Sequence, residues 1–177
     1  MKLSKLKQAL QFAKEKHKDQ FRKFDKKPYV THPIRVQKLV NQFKGQSKNT
    51  EAIRIAGLLH DTVEDTNTTL KEIREIFGNL VASLVNELTS DSDKIEKYGK
   101  TVYLKNKLSN DLSDYALVLK LANRLDNVSD FPTAGEKFVT KYKKETEEIL
   151  SHLETNRKLT NTQKKIIERI KEKMVGF

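Results

Sequence analysis

The sequence predicts an all-α, single-domain fold, and two observations carry that expectation. Glycine and proline are scarce, at 6 and 3 of 177 residues, and apolar residues recur mostly three and four positions apart, the period of helices that bury one face. A chain of this length holds one domain with a substantial core and leaves little room for a second, so the domain is taken to run over residues 1–177.

Leu6, Leu10 and Ala13 outline a first helix reaching about residue 19. RKFDKKPYVTHP follows as an irregular stretch, because Pro28 and Pro33 interrupt helix. A second helix runs from about Pro33, a favoured first-turn residue, to Phe43, and Gly45 and Ser47 mark a loop. The third helix covers about residues 50–62 with Thr50 as its cap. TNTTLKEIREIFG reads as a short helix capped near Thr68 and stopped around Gly78, and another spans about 79–89. SDSDKIEKYGK is expected to be polar and exposed, leading into a helix that ends near Ser109. The most apolar segment, about 111–128, is the expected central helix; FPTAG breaks it, and two amphipathic helices at about 136–154 and 160–174 close the bundle.

Cysteine is absent, which rules out disulfides and thiolate zinc sites and points to a reducing, cytoplasmic setting. Any metal must be held by imidazole, carboxylate or amide groups. The opening MKLSKLKQALQFAKEKH carries charges every few residues, unlike a signal peptide, and no later segment approaches the roughly 20 apolar residues of a membrane span. A soluble protein with no membrane partner is expected. The formal charge of +11 attracts polyanions, but the lysines are spread over nearly every segment, aromatics are dispersed and no nucleic-acid-binding motif is present, so a specific nucleic-acid partner ranks last.

AGLLHDTVEDT, at residues 56–66, is an apolar run that ends in His60, Asp61, Glu64 and Asp65. On a continuous helix at about 100° per residue, Glu64, Asp61 and Asp65 fall about 40°, 100° and 140° round from His60. Ala52, Ile55, Ala56, Leu59 and Val63 make a separate apolar face that can enter a core. Imidazole beside carboxylate is the donor set of a hard or borderline divalent cation. Without a cation, crowded carboxylates are expected to raise their own pKa values. His32, between two prolines, is placed where a rigid loop could aim its ring. The central helix adds Asn123, Asp126 and Asn127, polar groups that need partners if buried. Each of these also reads as an ordinary structural hydrogen-bonder; together they favour a site for a metal or a phosphate.

ALQFAKEKHKDQFRK, KPYVTHPIRV, GLLHDTVEDTNTTLKEIREIFGNLVASLVNELT and KLANRLDNV occur in that order with consistent intervals. In these segments the chain resembles the HD-domain phosphohydrolase superfamily, and within it the alarmone hydrolases: the hydrolase domain of the RelA/SpoT enzymes and their small stand-alone relatives. The resemblance covers about residues 8–131, and the helices after about 136 match only loosely. It implies an HD-type helical bundle and a metal-dependent phosphohydrolase that removes the 3′-pyrophosphate from guanosine tetra- or pentaphosphate. His32, His60 and Asp61 resemble three of the four ligands of one divalent ion, usually manganese in the family. Glu64 and Asp65 match the acidic pair that positions and activates the attacking water. Arg22 and Lys23 match the basic pair around the guanine base, and Asn127 matches a residue lining the nucleotide site. Lys120 lies in the closing motif with no role assigned.

One position departs from the family. Its fourth ligand is the aspartate of a KLADR-type motif, and here that position is Asn123. An amide oxygen can bind a cation but brings no charge, so weaker metal affinity is expected. A natural variant that still works, an engineered change that traps substrate, and a protein that binds without hydrolysing all fit this substitution. Asp126, three residues on, is an alternative ligand. Two further functions stay open: hydrolysis of another nucleotide, such as an adenosine alarmone or NADPH, and a non-catalytic alarmone-binding module.

Overall fold

A computed structural model of the chain describes residues 4–45 and 47–177. The described residues are helical, with no strand among them beyond a single antiparallel bridge between Phe21 and Pro28. The chain forms two compact units, Met1–Thr89 and Ser90–Phe177.

The first unit holds α1 (Lys5–Lys16), α2 (Thr31–Lys44), α3 (Thr50–Leu59), the one-turn α4 (Thr62–Asp65), α5 (Leu70–Phe77) and α6 (Asn79–Leu88). α3 is its centre. Ile53, Ile55, Ala56, Leu58 and Leu59 are all buried, because α3 packs against α1, α2 and α6 and so has little face left for water. Each such large aliphatic side chain contributes about 1.5–3 kcal/mol on burial. α1 buries Ala9, Ala13 and His17, four apart, against this centre. Phe12 and Phe77 meet edge to face at 5.6 Å. Gly78 separates α5 from α6 at φ +97°, a left-handed value that a side chain would strain.

Between α1 and α2 the chain doubles back. Arg22 N–H donates to Lys27 O and Tyr29 N–H to Gln20 O, each at 2.8 Å, which pins both ends of the irregular stretch that the prolines announce. α2 begins at Thr31, two residues before Pro33, so His32 sits in the first helical turn and not in a loop. Thr50 is the first residue of α3, following the N-cap Asn49; its hydroxyl donates to Gly45 O at 2.9 Å and accepts from Ser47 N at 2.8 Å.

The second unit holds α7 (Ser92–Tyr98), α8 (Lys100–Asn106), a π-helical turn (Lys107–Asp111), α9 (Asp114–Val128), a 3₁₀ turn (Phe131–Thr133), α10 (Glu136–Asn156) and α11 (Asn161–Met174). α9 is its buried strut, with Leu117, Leu121 and Leu125 four apart and packed by α10 and α11. It starts at Asp114, capped by Ser113, because the π-helical turn runs on to Asp111 and Leu112 is extended. SDSDKIEKYGK contains α7, where Asp91 caps the helix by accepting from Lys94 N at 3.0 Å. None of its helical residues is buried, as its polarity implies. α11 opens with a reciprocal capping box between Thr160 and Gln163. Among the described residues no helix is long and apolar enough to cross a membrane.

Candidate metal centre

Two chain segments of the first unit bring three donors together. His32 comes from the first turn of α2, His60 from the residue ending α3, and Asp61 from the residue before α4. One ligand atom from each lies within 4.8 Å of the others. Asp61 Oδ2 is the meeting point, 3.0 Å from His60 Nε2 and 3.6 Å from His32 Nε2. The two rings stand edge to face with centroids 5.2 Å apart. Both histidines are buried, whereas Asp61 keeps 14 % of its side chain exposed. The cluster is therefore walled by core and opens at the carboxylate.

His60 is oriented from behind. Its Nδ1 is 2.9 Å from Gly57 O, and a carbonyl only accepts, so Nδ1 carries the proton and Nε2 is the nitrogen turned toward Asp61. This is the arrangement by which ligating histidines are held in one tautomer. Asp61 is oriented by Tyr29, whose hydroxyl donates to Oδ2 at 2.6 Å. Two imidazoles and a carboxylate with such backing fit a divalent cation.

The helix through this region is not continuous. α3 stops at Leu59, His60 and Asp61 form a turn, and α4 adds four residues before Thr66 turns extended. Thr62 Oγ1 donates to Leu59 O and Thr66 Oγ1 to Thr62 O, at 2.7 and 2.6 Å, so local hydroxyls stabilise the break. Glu64 and Asp65 consequently sit on a separate turn, both exposed, although the Asp65 carboxyl is partly shielded from water by the atoms around it.

The electrostatics also differ from the uniform rise expected of crowded carboxylates. Burial works to raise the pKa of Asp61, but the neighbouring His60 and His32 and the bond from Tyr29 outweigh it, leaving the carboxyl well below its ordinary range. Asp65 follows the expectation. Its pKa is raised, first by burial and then by the charge of Asp61, against a smaller opposing bond from Tyr29. Burial, followed by the charge of Asp61, pushes the Tyr29 phenol far up, so it remains a donor.

The remaining candidates fall in two places. Arg22 and Lys23 lie in the loop between α1 and α2: Arg22 is buried with Nε 3.6 Å from Asp25 Oδ1, and Lys23 is exposed with its ammonium 5.8 Å from the Phe24 ring centroid. Asn123 and Asn127 belong to α9 in the second unit. Asn127 Nδ2 donates to Asn123 Oδ1 and to the Tyr142 hydroxyl, both at 3.1 Å. Asp126 is buried in the same helix. Tyr29, His17 and Gln20, which surround Asp61 and Asp65, were not among the residues the sequence singled out; the only signal was the tyrosine three residues before His32.

A family model of the HD domain matches residues 9–160. The chain belongs to the HD-domain family. The match runs past the core of about 8–131 and takes in all of α10. A guanosine-3′,5′-bis(diphosphate) 3′-pyrophosphohydrolase MESH1 of Mus musculus is 35% identical to this HD-domain chain over 175 residues, 93% of this chain and 94% of that one. The guanosine-3′,5′-bis(diphosphate) 3′-pyrophosphohydrolase of Aquifex aeolicus is 39% identical over 154 residues, 84% of this chain. The HD-domain chain spans about a fifth of that longer relative, 21% of its length. Among solved structures, one described as a metazoan ortholog of SpoT that hydrolyzes ppGpp aligns with a TM-score of 0.79 at 28% identity, covering 97% of each chain.

Proposed function

We propose that this protein hydrolyses the 3′-pyrophosphate of guanosine tetra- or pentaphosphate, releasing pyrophosphate and GDP or GTP, with one divalent ion, manganese, held by His32, His60 and Asp61. The observation that carries this reading is the convergence of the two imidazoles on Asp61 Oδ2, joined to the named activity of relatives that match nearly the whole chain. The motif gives Asn123 the fourth ligand position by resemblance. A small nucleotide is the partner, without a specific nucleic acid or a membrane, in a cytoplasmic setting.

A divalent cation bound there would supply Lewis acidity to water and to phosphoryl oxygen. The chain's own groups supply the rest. Asp65, whose pKa is raised by burial and by Asp61, is poised to accept a proton from the attacking water, and Glu64 beside it helps to orient that water. Tyr29 keeps Asp61 in one rotamer while Gly57 O keeps His60 in one tautomer. Arg22, Lys23 and Asn127 are assigned to the nucleotide. The test is pyrophosphate release by purified protein with manganese. Asp61→Ala is expected to abolish release with the fold intact, and undiminished turnover in that variant would reject the reading.

The amide at Asn123 favours one second reading, binding of the same nucleotide without turnover. Tight binding with no pyrophosphate released in excess manganese would establish it.

A further inference from the structure

Beside the acidic pair lies a buried histidine that the chemistry above leaves unused. His17 closes α1 and is 1% exposed. Gln20 Nε2 donates at 2.7 Å to the main-chain oxygen of Asp65. A carbonyl oxygen only accepts, so this bond fixes which end of the Gln20 amide is nitrogen. The amide oxygen then faces His17 Nδ1, also at 2.7 Å. Because that oxygen only accepts as well, Nδ1 must carry the proton. In its neutral form the ring then has a bare lone pair on Nε2, which is buried and has no hydrogen-bond partner.

An unpaired buried acceptor costs stability, and an apolar side chain would fill the same place on α1 without that cost. Histidine offers what an apolar residue lacks, an N–H directed at Gln20 from a ring that also lies against Tyr29, with centroids 4.9 Å apart. Gln20 in turn ties three parts of the site. Its side chain holds His17 and Asp65, and its main-chain oxygen accepts from Tyr29 N at 2.8 Å. Tyr29 is the residue that grips Asp61. Such a restraint is needed because α4 is four residues long and Thr66 beyond it is extended, at φ −141° and ψ −179°; one isolated turn does not hold its own shape.

We propose that His17 and Gln20 are positioning residues, a clamp that sets the Glu64–Asp65 turn against Asp61 through the Asp65 carbonyl on one side and Tyr29 on the other. Its catalytic consequence rests on the hydrolase reading, whereas its geometry does not.

Three variants separate the clamp from simple packing. Gln20→Met keeps length and loses the amide. His17→Phe keeps a ring against Tyr29 and loses the N–H, and His17→Asn keeps a donor at the Nδ1 position and loses the ring. With manganese and guanosine tetraphosphate, Gln20→Met and His17→Phe are expected to lower kcat about 10- to 100-fold, with KM and calorimetric manganese affinity within about threefold of wild type. His17→Asn is expected to recover most of kcat. Wild-type kcat in both disruptive variants, a loss of kcat matched by lost metal affinity, or no recovery in His17→Asn overturns the clamp. A readout independent of turnover comes from long-range proton–nitrogen correlation spectra of the metal-free protein, which should show His17 protonated at Nδ1 and bare at Nε2, a preference that Gln20→Met removes. An Nε2-protonated ring in the wild type overturns the clamp whatever the activity. A wild type that releases no pyrophosphate but keeps the Nδ1 tautomer rejects the hydrolase reading and upholds the clamp.

Discussion

Tyr29 and Asp61, 32 positions apart in sequence, are joined by a 2.6 Å hydrogen bond from the phenol to Oδ2. That oxygen is also the one the two histidines approach, so the bond fixes the carboxylate in the rotamer a cation requires. Groups that orient a ligand from behind typically carry about 10- to 100-fold in metal affinity or activity. Tyr29→Phe, which removes one oxygen and leaves the ring in place, is therefore expected to weaken manganese binding about 10-fold by calorimetry, with helix content by circular dichroism unchanged. Wild-type affinity in this variant would show that the histidines alone keep Asp61 in place.

The second unit depends on a buried ion pair. Arg124 Nη2 lies 3.0 Å from Glu145 Oε1, Nη1 donates to Thr146 Oγ1 at 2.7 Å, and the guanidinium stands 4.8 Å from the Tyr142 ring centroid. The two side chains are 6% and 10% exposed. Removing one partner strands the other's charge away from water. Glu145→Leu is expected to destabilise the protein by about 3–5 kcal/mol, whereas Arg124→Met with Glu145→Leu together should cost less than Glu145→Leu alone. Urea unfolding of the three proteins measures this, and an additive double variant would contradict it.

A net charge of +11 acts at a distance. A heavily phosphorylated nucleotide is drawn toward such a surface, and the attraction is screened over about 8 Å at physiological ionic strength. KM for guanosine tetraphosphate is expected to rise several-fold between about 0.05 and 0.3 M salt while kcat stays nearly constant. A salt-independent KM would mean that the dispersed lysines are a solvated coat without influence on capture.

The helices that bury a face were legible in the sequence because burial imposes a period: Leu117, Leu121 and Leu125 mark α9, and of Leu6, Leu10 and Ala13, which outlined the first helix, Ala13 is buried on α1 while Leu6 and Leu10 flank its buried face. α7 was not legible, since it buries none of its residues and owes its existence to the Asp91 cap. The break at His60 was hidden because the apolar spacing continues across it to Val63; the Thr62 and Thr66 hydroxyls that stabilise it carry no periodic signature. His32, His60 and Asp61 were found as residue types suited to a cation. Tyr29 and Gln20 were missed because their roles come from partners 32 and 45 positions away, a proximity that only the fold creates.

Asn123 stands where the motif that the chain resembles carries an aspartate. Asn123 Oδ1 accepts a 3.1 Å bond from Asn127 Nδ2. An aspartate there could accept the same bond with one oxygen and still offer the other, so Asn123→Asp adds a charge without breaking the contact within α9. A carboxylate binds a hard divalent cation more tightly than an amide, because it neutralises one more unit of charge. If the motif's ligand position is used, Asn123→Asp should raise manganese affinity about 10-fold or more. Because a ligand that binds only the folded state stabilises it by mass action, the variant should also show a larger manganese-induced rise in melting temperature than the wild type. In the absence of metal the new charge has buried Asp126 three residues away on the same helix, so the metal-free variant should melt slightly lower than the wild type. Calorimetry and melting with and without manganese test both signs together, and equal affinities would remove residue 123 from the coordination set.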